Sequence, residues 1–239
     1  MERIAKIIAR SGICSRREAE KLILNNCVKV NGKLVLSPAF NISINDQVSV
    51  NGKKIPKFKK TRLWKFYKPK GLVVSHSDEK KRETIFQRLP KNMPRVISVG
   101  RLDINSEGLL LLTNDGSLSR KLELPVNNFK RKYRVRIRGN ISEEDLKKIS
   151  NGIKINGINY KSFEFSVDKN LKSNSWLSLI ITEGKNREIR NIIEFLGFSV
   201  SRLIRVSYGP FLIENLKPGE ISEVSFNDLQ SIYSRSVAK

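Results

Sequence analysis

Asp103 and Arg101 have the residue types and spacing for acid–base or nucleophilic chemistry. They lie within residues 100–116, which read Gly-Arg-Leu-Asp-Ile-Asn-Ser-Glu-Gly-Leu-Leu-Leu-Leu-Thr-Asn-Asp-Gly. The four leucines at 109–112, followed by an Asn-Asp-Gly turn, predict a strand that is buried on both faces and ends abruptly. Asp103 then lies at the mouth of that strand. By itself, the Arg-x-Asp pair fits an ordinary loop ion pair as well as a catalytic carboxylate.

A second candidate segment is a cationic strand around Tyr133. From Lys130 to Arg138 every even-numbered residue is Lys or Arg. Because successive side chains of a strand point to opposite faces, Tyr133 is predicted to face inward while the cationic row faces outward. Such a row is typical of a solvated edge strand that resists aggregation. It is equally typical of a strand that follows a phosphate backbone beside an aromatic residue for base stacking.

The third candidate segment spans residues 183–190. Glu183-Gly184-Lys185 predicts a turn, and Asn186 predicts the cap of a helix with apolar residues at helical spacing. Arg187 and Arg190 lie three positions apart and would share one face of this helix. Exposed surface arginines and anion-binding arginines both fit this pattern.

The string at residues 100–116 closely resembles the signature of the pseudouridine synthases, in the branch that carries an N-terminal S4 domain and modifies ribosomal RNA. The resemblance implies that Asp103 is the catalytic nucleophile. It implies that Arg101, an RNA-binding residue, fills the gap left when the target base leaves its stack. Lys132 and Tyr133 match a segment of the family in which the Tyr stacks on the target base and takes part in proton transfer, so Lys132 is expected to bind RNA.

Residues 183–190 resemble the family's Glu-Gly-(Lys/Arg)-x-Arg-(Gln/Glu)-(Ile/Val)-Arg motif. The last Arg of that motif, here Arg190, is implied to pair with Asp103. A guanidinium next to a carboxylate lowers the pKa of the acid and fixes its orientation. Arg187 is expected to contact RNA.

Residues 201–210 resemble the segment in which an aliphatic residue packs against the target ring. This implies a role for Leu203, with Ile204 as the alternative. Two departures from the family pattern leave nearby substrate contacts open. Asn191 stands where a basic residue is common, and Ser106-Glu107 replaces a usual Thr-Ser.

The net charge favours a polyanionic partner. The 239 residues include 46 Lys and Arg against 23 Asp and Glu, a formal net charge of +23. Binding a phosphate backbone releases counterions, so nucleic acid is favoured over a merely solvated basic surface. Cys14 and Cys27 are the two cysteines, and their spacing predicts neither a metal site nor a disulfide framework. We expect a reduced, cytoplasmic compartment, and the absence of a long apolar run predicts no membrane association.

The first 53 residues predict a small RNA-binding module. Apolar spacing predicts a helix ending at Gly12, and Ser15 with Glu18 forms the capping box of a second helix. Two Val-x-Val-Asn-Gly repeats, at 28–32 and 48–52, predict tight hairpins. The pattern is similar to the S4 RNA-binding domain, which implies that RNA is bound by the basic residues of the second helix, Arg16, Arg17 and Lys21.

The predicted fold class is α+β. An S4 domain at 1–53 and a basic linker at 54–62 precede a catalytic domain at 63–239, on a mixed, largely antiparallel sheet flanked by helices. The resemblance implies a monomeric enzyme without cofactor that isomerises a uridine in ribosomal RNA, 23S (large subunit) first and 16S (small subunit) second. Two other classes stay open at this point: a non-catalytic ribosome-assembly factor, and a retaining glycosidase. A glycosidase needs two carboxylates about 5 Å apart, and Glu107 is a weak second candidate.

Overall fold

The computed structural model describes residues 1–43, 45–56 and 60–234. Their contacts form two compact units. The first contains Met1–Arg62 with the short segments Asn92–Ile97 and Thr113–Gly116, and the second begins at Leu63 and contains the other described residues. The domain boundaries at 53/54 and 62/63 stay a prediction. Part of the predicted linker, residues 57–59, lies outside the described residues.

The first unit packs two helices against short strands. Its elements are β1 (Glu2–Arg3), α1 (Ile4–Arg10), α2 (Arg16–Leu24), β2 (Val28–Val30), β3 (Lys33–Leu34), β4 (Asn41–Ile42), β5 (Val48–Val50) and β6 (Lys53–Lys54). Four strands form a sheet in the order β3-β2-β5-β6. The predicted capping box is confirmed, since Glu18 N–H donates to Ser15 Oγ at 3.2 Å and Ser15 N–H donates to Glu18 Oε2 at 2.7 Å. Lys54, the first residue of the predicted linker, pairs with Ser49 in β6.

The other elements build a larger mixed sheet with helices. They are β7 (Leu63–Lys68), β8 (Ile97–Val99), β9 (Glu107–Thr113), α3 (Gly116–Glu123), β10 (Arg131–Arg138), α4 (Glu143–Ser150), β11 (Ile153–Ile155), β12 (Ile158–Tyr160), β13 (Glu164–Asn170), β14 (Asn174–Ile181), α5 (Glu188–Phe195), β15 (Ser199–Tyr208), β16 (Phe211–Leu212), β17 (Ile221–Glu223) and α6 (Phe226–Ser234). The main strand order is β13-β14-β10-β15-β9-β7-β17. Strand β10 pairs antiparallel with β14 and β15, whereas β15 pairs parallel with β9. The predicted α+β class is confirmed.

Strand β9 is buried along its whole length, as the run of leucines predicted. The leucines at 109–112 are each 0% exposed. Gly108 at the start of the strand has φ of +103°, and a Cβ there would lie 2.3 Å from the backbone oxygen of Arg205. Only glycine allows this approach, which brings β15 against the start of β9, shortly after Asp103 in the chain.

Two local predictions were wrong, and one open alternative is excluded. The sequence from Leu63 to Ser75 predicts two short strands about a turn at 68–71. The second strand is not formed, since Val73 makes only an isolated bridge to Thr84. Asn186 does not cap α5, which begins at Glu188 with Arg187 in the left-handed conformation, φ +52°. The open alternative of an edge strand is excluded for β10, because the strand is paired on both sides. In the described part of the chain no helix is long and apolar enough to span a membrane, and no group of metal-ligating side chains occurs.

Candidate active site

A cleft of about 840 Å³ opens on one face of the sheet in the second unit. Five of the predicted catalytic and RNA-binding residues line it: Arg101, Asp103, Tyr133, Arg187 and Leu203. Ile204 is not among the lining residues, so the structure places Leu203, and not its alternative, in the cleft. Lys132 is not among them either, since it projects from the opposite face of β10.

The register of β10, β15 and β9 brings Tyr133, Leu203 and the turn of Asp103 close together. Tyr133 of β10 lies opposite Arg205 of β15, and Val135 lies opposite Leu203. Arg205 in turn pairs with Gly108 at the start of β9. Tyr133 and Leu203 therefore share one face of adjacent strands, and Asp103 precedes the next strand of the same sheet.

Asp103 occupies a tight turn held by backbone bonds and by a buried lysine. Ser106 N–H donates to the Asp103 carbonyl at 3.0 Å. Lys68, which is 0% exposed, donates through Nζ to the carbonyls of Ser106 at 2.9 Å, Pro69 at 3.0 Å and Ile104 at 3.4 Å. The ammonium group thus fixes the backbone that carries the half-buried Asp103 side chain.

Lys68 is also a cation close to Asp103. Burial lowers the pKa of Lys68 to about 8, and the negative charges of Asp103 and Glu107 oppose this shift. At neutral pH most of the ammonium stays protonated, because pH 7 lies below that pKa. Sequence reasoning missed this role, since Lys68 is one of several lysines around the turn at 68–71.

Arg190 holds the same turn from α5. It is 8% exposed and donates through Nη2 to the Asn105 carbonyl at 3.1 Å and Ser106 Oγ at 3.5 Å, and through Nη1 to the Val200 carbonyl at 3.3 Å. Across the described residues, no ion pair within 4.0 Å involves Asp103 or Arg190. The direct pairing implied by the resemblance is therefore not formed here, because the carbonyls take up these donors.

The Asp103 carboxylate nevertheless affects the pKa of Arg190. Burial and the neighbouring Arg187 lower the pKa of Arg190, while Asp103 and Glu194 raise it. Its Nε is buried and has no hydrogen-bond partner in the described part of the chain. One donor of this guanidinium is thus still available in the neighbourhood of Asp103.

Two buried arginines missed by the sequence analysis flank Tyr208 in the cleft. The Cζ atoms of Arg131 and Arg205 lie 4.7 and 5.1 Å from the centre of the Tyr208 ring, a cation–π geometry. Arg131 donates to Tyr208 Oη at 2.9 Å, and Arg205 Nε donates to the Leu109 carbonyl at 2.7 Å. Strand alternation contained a signal for Arg131, since it shares the inward face with Tyr133.

Glu188 is a buried acid in the lining of the cleft. It is 4% exposed, and burial raises its pKa to about 7, with nearby Glu183 adding to the increase. Its Oε2 accepts the Lys185 N–H at 2.9 Å. This bond closes the turn before α5 and takes the place of the cap that had been predicted at Asn186.

Glu107 and Asn191, which depart from the family pattern, each have a hydrogen-bond partner in the structure. Arg202 donates to both carboxylate oxygens of Glu107, at 2.8 and 3.0 Å. Glu107, the candidate second carboxylate of a retaining glycosidase, does not line the cleft. Asn191 Nδ2 donates to Tyr160 Oη at 2.9 Å, which ties α5 to β12.

The three predicted RNA-binding residues of the first unit are on a solvated helix face. Arg16, Arg17 and Lys21 are all exposed on α2, while Ala19 and Ile23 of the same helix are buried. Arg16 forms an ion pair with Glu20 at 3.2 Å. This face can therefore offer cations to a phosphate backbone without disturbing the core.

The cleft combines the carboxylate of Asp103 with an inward tyrosine, an aliphatic side chain and buried cations, and it occurs in a strongly basic chain. Glu123 and Glu188 also line it. These features define an enzyme that acts on a nucleic-acid base. The model of the RNA pseudouridylate synthase family matches residues 62–195, and that of the S4 domain matches residues 2–48. The chain belongs to the RNA pseudouridylate synthase family, whose members are isomerases acting on RNA, and this confirms the predicted family and enzyme class.

Relatives match over nearly the whole chain. An "Uncharacterized RNA pseudouridine synthase" of Rickettsia felis is 52% identical over 225 residues, covering 94% of this chain and 97% of that protein. "Ribosomal large subunit pseudouridine synthase B" of Buchnera aphidicola subsp. Acyrthosiphon pisum is 37% identical, covering 97% and 96%. A solved structure described as a pseudouridylate synthase superposes with a TM-score of 0.70 at 26% identity, covering 97% and 100%.

Proposed function

We propose that this enzyme converts one uridine of large-subunit (23S) ribosomal RNA to pseudouridine, with Asp103 as the nucleophile. The observation that carries the proposal is the placement of Asp103 at the mouth of β9, in one cleft with Tyr133 and Leu203. The choice of large-subunit over 16S rRNA is supported by the name of the Buchnera relative, a large-subunit pseudouridine synthase. The enzyme then works as a monomer in the cytoplasm, where ribosomal RNA is made.

The proposed reaction balances without a cofactor or co-substrate. The C1′–N1 bond of the nucleotide breaks and a C1′–C5 bond forms, while C5 gives up a proton and N1 takes one up. The Asp103 carboxylate attacks the sugar or the base and leaves again at the end of the cycle. Tyr133 stacks on the ring and assists proton transfer, and Leu203 packs against the ring.

Cations in the cleft, around it and on the S4 domain have the remaining roles. Lys68 and Arg190 position the turn of Asp103, and the unused Nε of Arg190 is available to the carboxylate when substrate enters. Arg101 is exposed in the cleft lining and fills the place of the base that leaves its stack. Arg187 is exposed as well and contacts the RNA backbone, as Arg16, Arg17 and Lys21 do on the S4 domain.

An Asp103→Asn variant tests the nucleophile. The amide keeps the shape but removes the attacking charge, so we expect normal RNA binding and a loss of turnover of at least about 10³-fold. Exposed Glu143→Gln on α4 is the matched control, because it makes the same kind of change outside the cleft. Turnover of Asp103→Asn within tenfold of wild type would refute the proposed role.

The target RNA is tested separately. Pseudouridines are mapped in 23S and 16S rRNA from cells with and without this protein, complemented by wild type or by Asp103→Asn. Loss of one 23S site that only wild type restores is expected. Loss of a 16S site instead would overturn the assignment to the large subunit, but it would not contradict the proposed role of Asp103 as the nucleophile.

A further inference from the structure

The face of the large sheet opposite the cleft is strongly cationic. We call this the outer face and define it by Lys132, Arg134, Arg136 and Arg138 of β10 and Trp176 of β14. Lys132, Arg134 and Arg138 are exposed, and Arg136 and Trp176 are half-buried. The residues that alternate with them on β10 face the core or the cleft, so the sheet itself separates the two surfaces.

In the described ranges, none of the four cations of the outer face has an acid within 4.0 Å. Neighbouring Arg202 is neutralised by Glu107 at 2.8 Å, and Lys130 pairs with Glu164 at 2.5 Å. By contrast, Lys132, Arg134, Arg136 and Arg138 form no ion pair within the described ranges. Residues two apart on a strand are spaced by about 6.7 Å, so these like charges repel one another along the row.

Protection of an exposed sheet edge does not explain this row. Charged residues protect edge strands from pairing with other chains, but β10 is an interior strand bonded to β14 and β15 along its length. The repulsion within the row therefore brings no benefit to the fold of this chain. An external polyanion would supply the missing negative charge.

Trp176 gives the outer face a second feature suited to nucleic acid. It lies directly opposite Arg136 in the register of β10 and β14, and the Cζ of Arg134 lies 4.8 Å from the centre of its ring. Proteins that bind single-stranded RNA combine a cationic track for the backbone with aromatic rings on which bases stack. The spacing of about 6.7 Å along the strand is also close to that of successive phosphates in an extended RNA strand.

We propose that the outer face binds a second segment of RNA, distinct from the segment whose uridine enters the cleft. The cationic row follows its phosphates and Trp176 stacks on one of its bases. The inference rests on the proposed function only in taking ribosomal RNA as the substrate that supplies this segment. Because the two surfaces are on opposite faces of the sheet, a short stem-loop held in the cleft cannot reach the outer face, whereas a long folded RNA can.

The test compares two double variants of the full-length protein. Arg134→Gln/Arg138→Gln removes two exposed cations of the outer face, and Lys147→Gln/Lys148→Gln removes two exposed cations of α4 as the matched control. Binding of a long 23S rRNA transcript and of a short stem-loop with the target uridine is titrated between low and high salt. Circular dichroism and thermal melting establish that both variants fold.

For the long transcript, the outer-face variant is expected to lower the slope of log K against log salt by about two. The slope for the stem-loop, and turnover on it, should stay at the wild-type values, and the control should change neither. An unchanged slope with the long transcript, an equal change in the control, or an equal loss on the stem-loop would each overturn the proposal. Weaker binding of polyglutamate by the variant, without any change in RNA binding, would also overturn it, in favour of an acidic protein partner.

These titrations do not depend on turnover. If no RNA is modified but the slope changes as expected, RNA binding by the outer face is supported and the proposed function is refuted. If modification occurs and the slope is unchanged, the opposite conclusion holds.

Discussion

Replacing Glu188 with glutamine is expected to remove a pH dependence from the stability of the second unit. Glu188 is buried beside Glu183 and has a pKa of about 7 in the folded protein, against an ordinary value of 4.5. The folded state therefore holds a proton that the unfolded state loses between pH 4.5 and 7. Stability must fall as pH rises through this interval and stay lower above it.

The size of the effect follows from the two pKa values. Each pKa unit corresponds to about 1.4 kcal/mol, so the shift from 4.5 to about 7 limits the loss to about 3 kcal/mol. The introduced amide would resemble the protonated acid, since its carbonyl can still accept the Lys185 N–H. We expect Glu188→Gln to match wild type near pH 4.5 and to exceed its stability by up to about 3 kcal/mol at pH 8.

Urea unfolding between pH 4.5 and 8, followed by tryptophan fluorescence, measures this difference. Both tryptophans, Trp64 and Trp176, are in the second unit with Glu188. The chain has one histidine, so few other side chains titrate in this range. Glu183→Gln is the control, and it should destabilise the protein because Glu183 accepts the Lys161 N–H at 2.8 Å and pairs with Lys185 at 2.9 Å. Equal stabilities of Glu188→Gln and wild type at pH 8 would refute the reasoning.

Two further predictions concern the turn that carries Asp103. Lys68→Met leaves three carbonyls without their cationic donor. We therefore expect kcat on the target stem-loop to fall at least about tenfold, with little change in KM. An unaltered kcat would show that Lys68 does not position the nucleophile. Arg190→Ala should abolish pseudouridine formation nearly as fully as Asp103→Asn, and Arg190→Lys should fall between, because it keeps the charge but not the planar fork. Arg187→Ala, at an exposed residue paired with Glu194, should be milder, and an equal loss would move the essential role to Arg187.

Features set by local pattern could be predicted from the sequence. The run of leucines predicted the buried strand β9, because a strand covered on both faces needs apolar residues at every position. The Ser15–Glu18 capping box was predictable because its partners are three residues apart. Strand alternation likewise predicted that Tyr133 faces inward, without any knowledge of its neighbours.

Features set by distant contacts could not be predicted in this way. The carbonyls that accept from Lys68 belong largely to a turn nearly forty residues later, so nothing near Lys68 in the sequence indicates its burial. Arg131 was overlooked for a different reason. A cation on the inward face contradicts the usual polarity pattern, and it is stabilised there by Tyr208, 77 residues away. The start of α5 was misjudged because the buried Glu188 closes the turn and takes the place of Asn186 as a cap.

The buried arginines of the cleft bear on how substrate is held. Arg131 and Arg205 are 7% and 2% exposed, and neither forms an ion pair with an acid in the described ranges of the chain. Burying a cation without an opposite charge costs several kcal/mol, and the cation–π contacts of both arginines with the Tyr208 ring offset only part of this cost. Arg205 Nη2 also lacks a hydrogen-bond partner among the described residues. The phosphates beside the target uridine supply the missing negative charge under the proposed function, so these two uncompensated cations favour RNA binding next to Asp103.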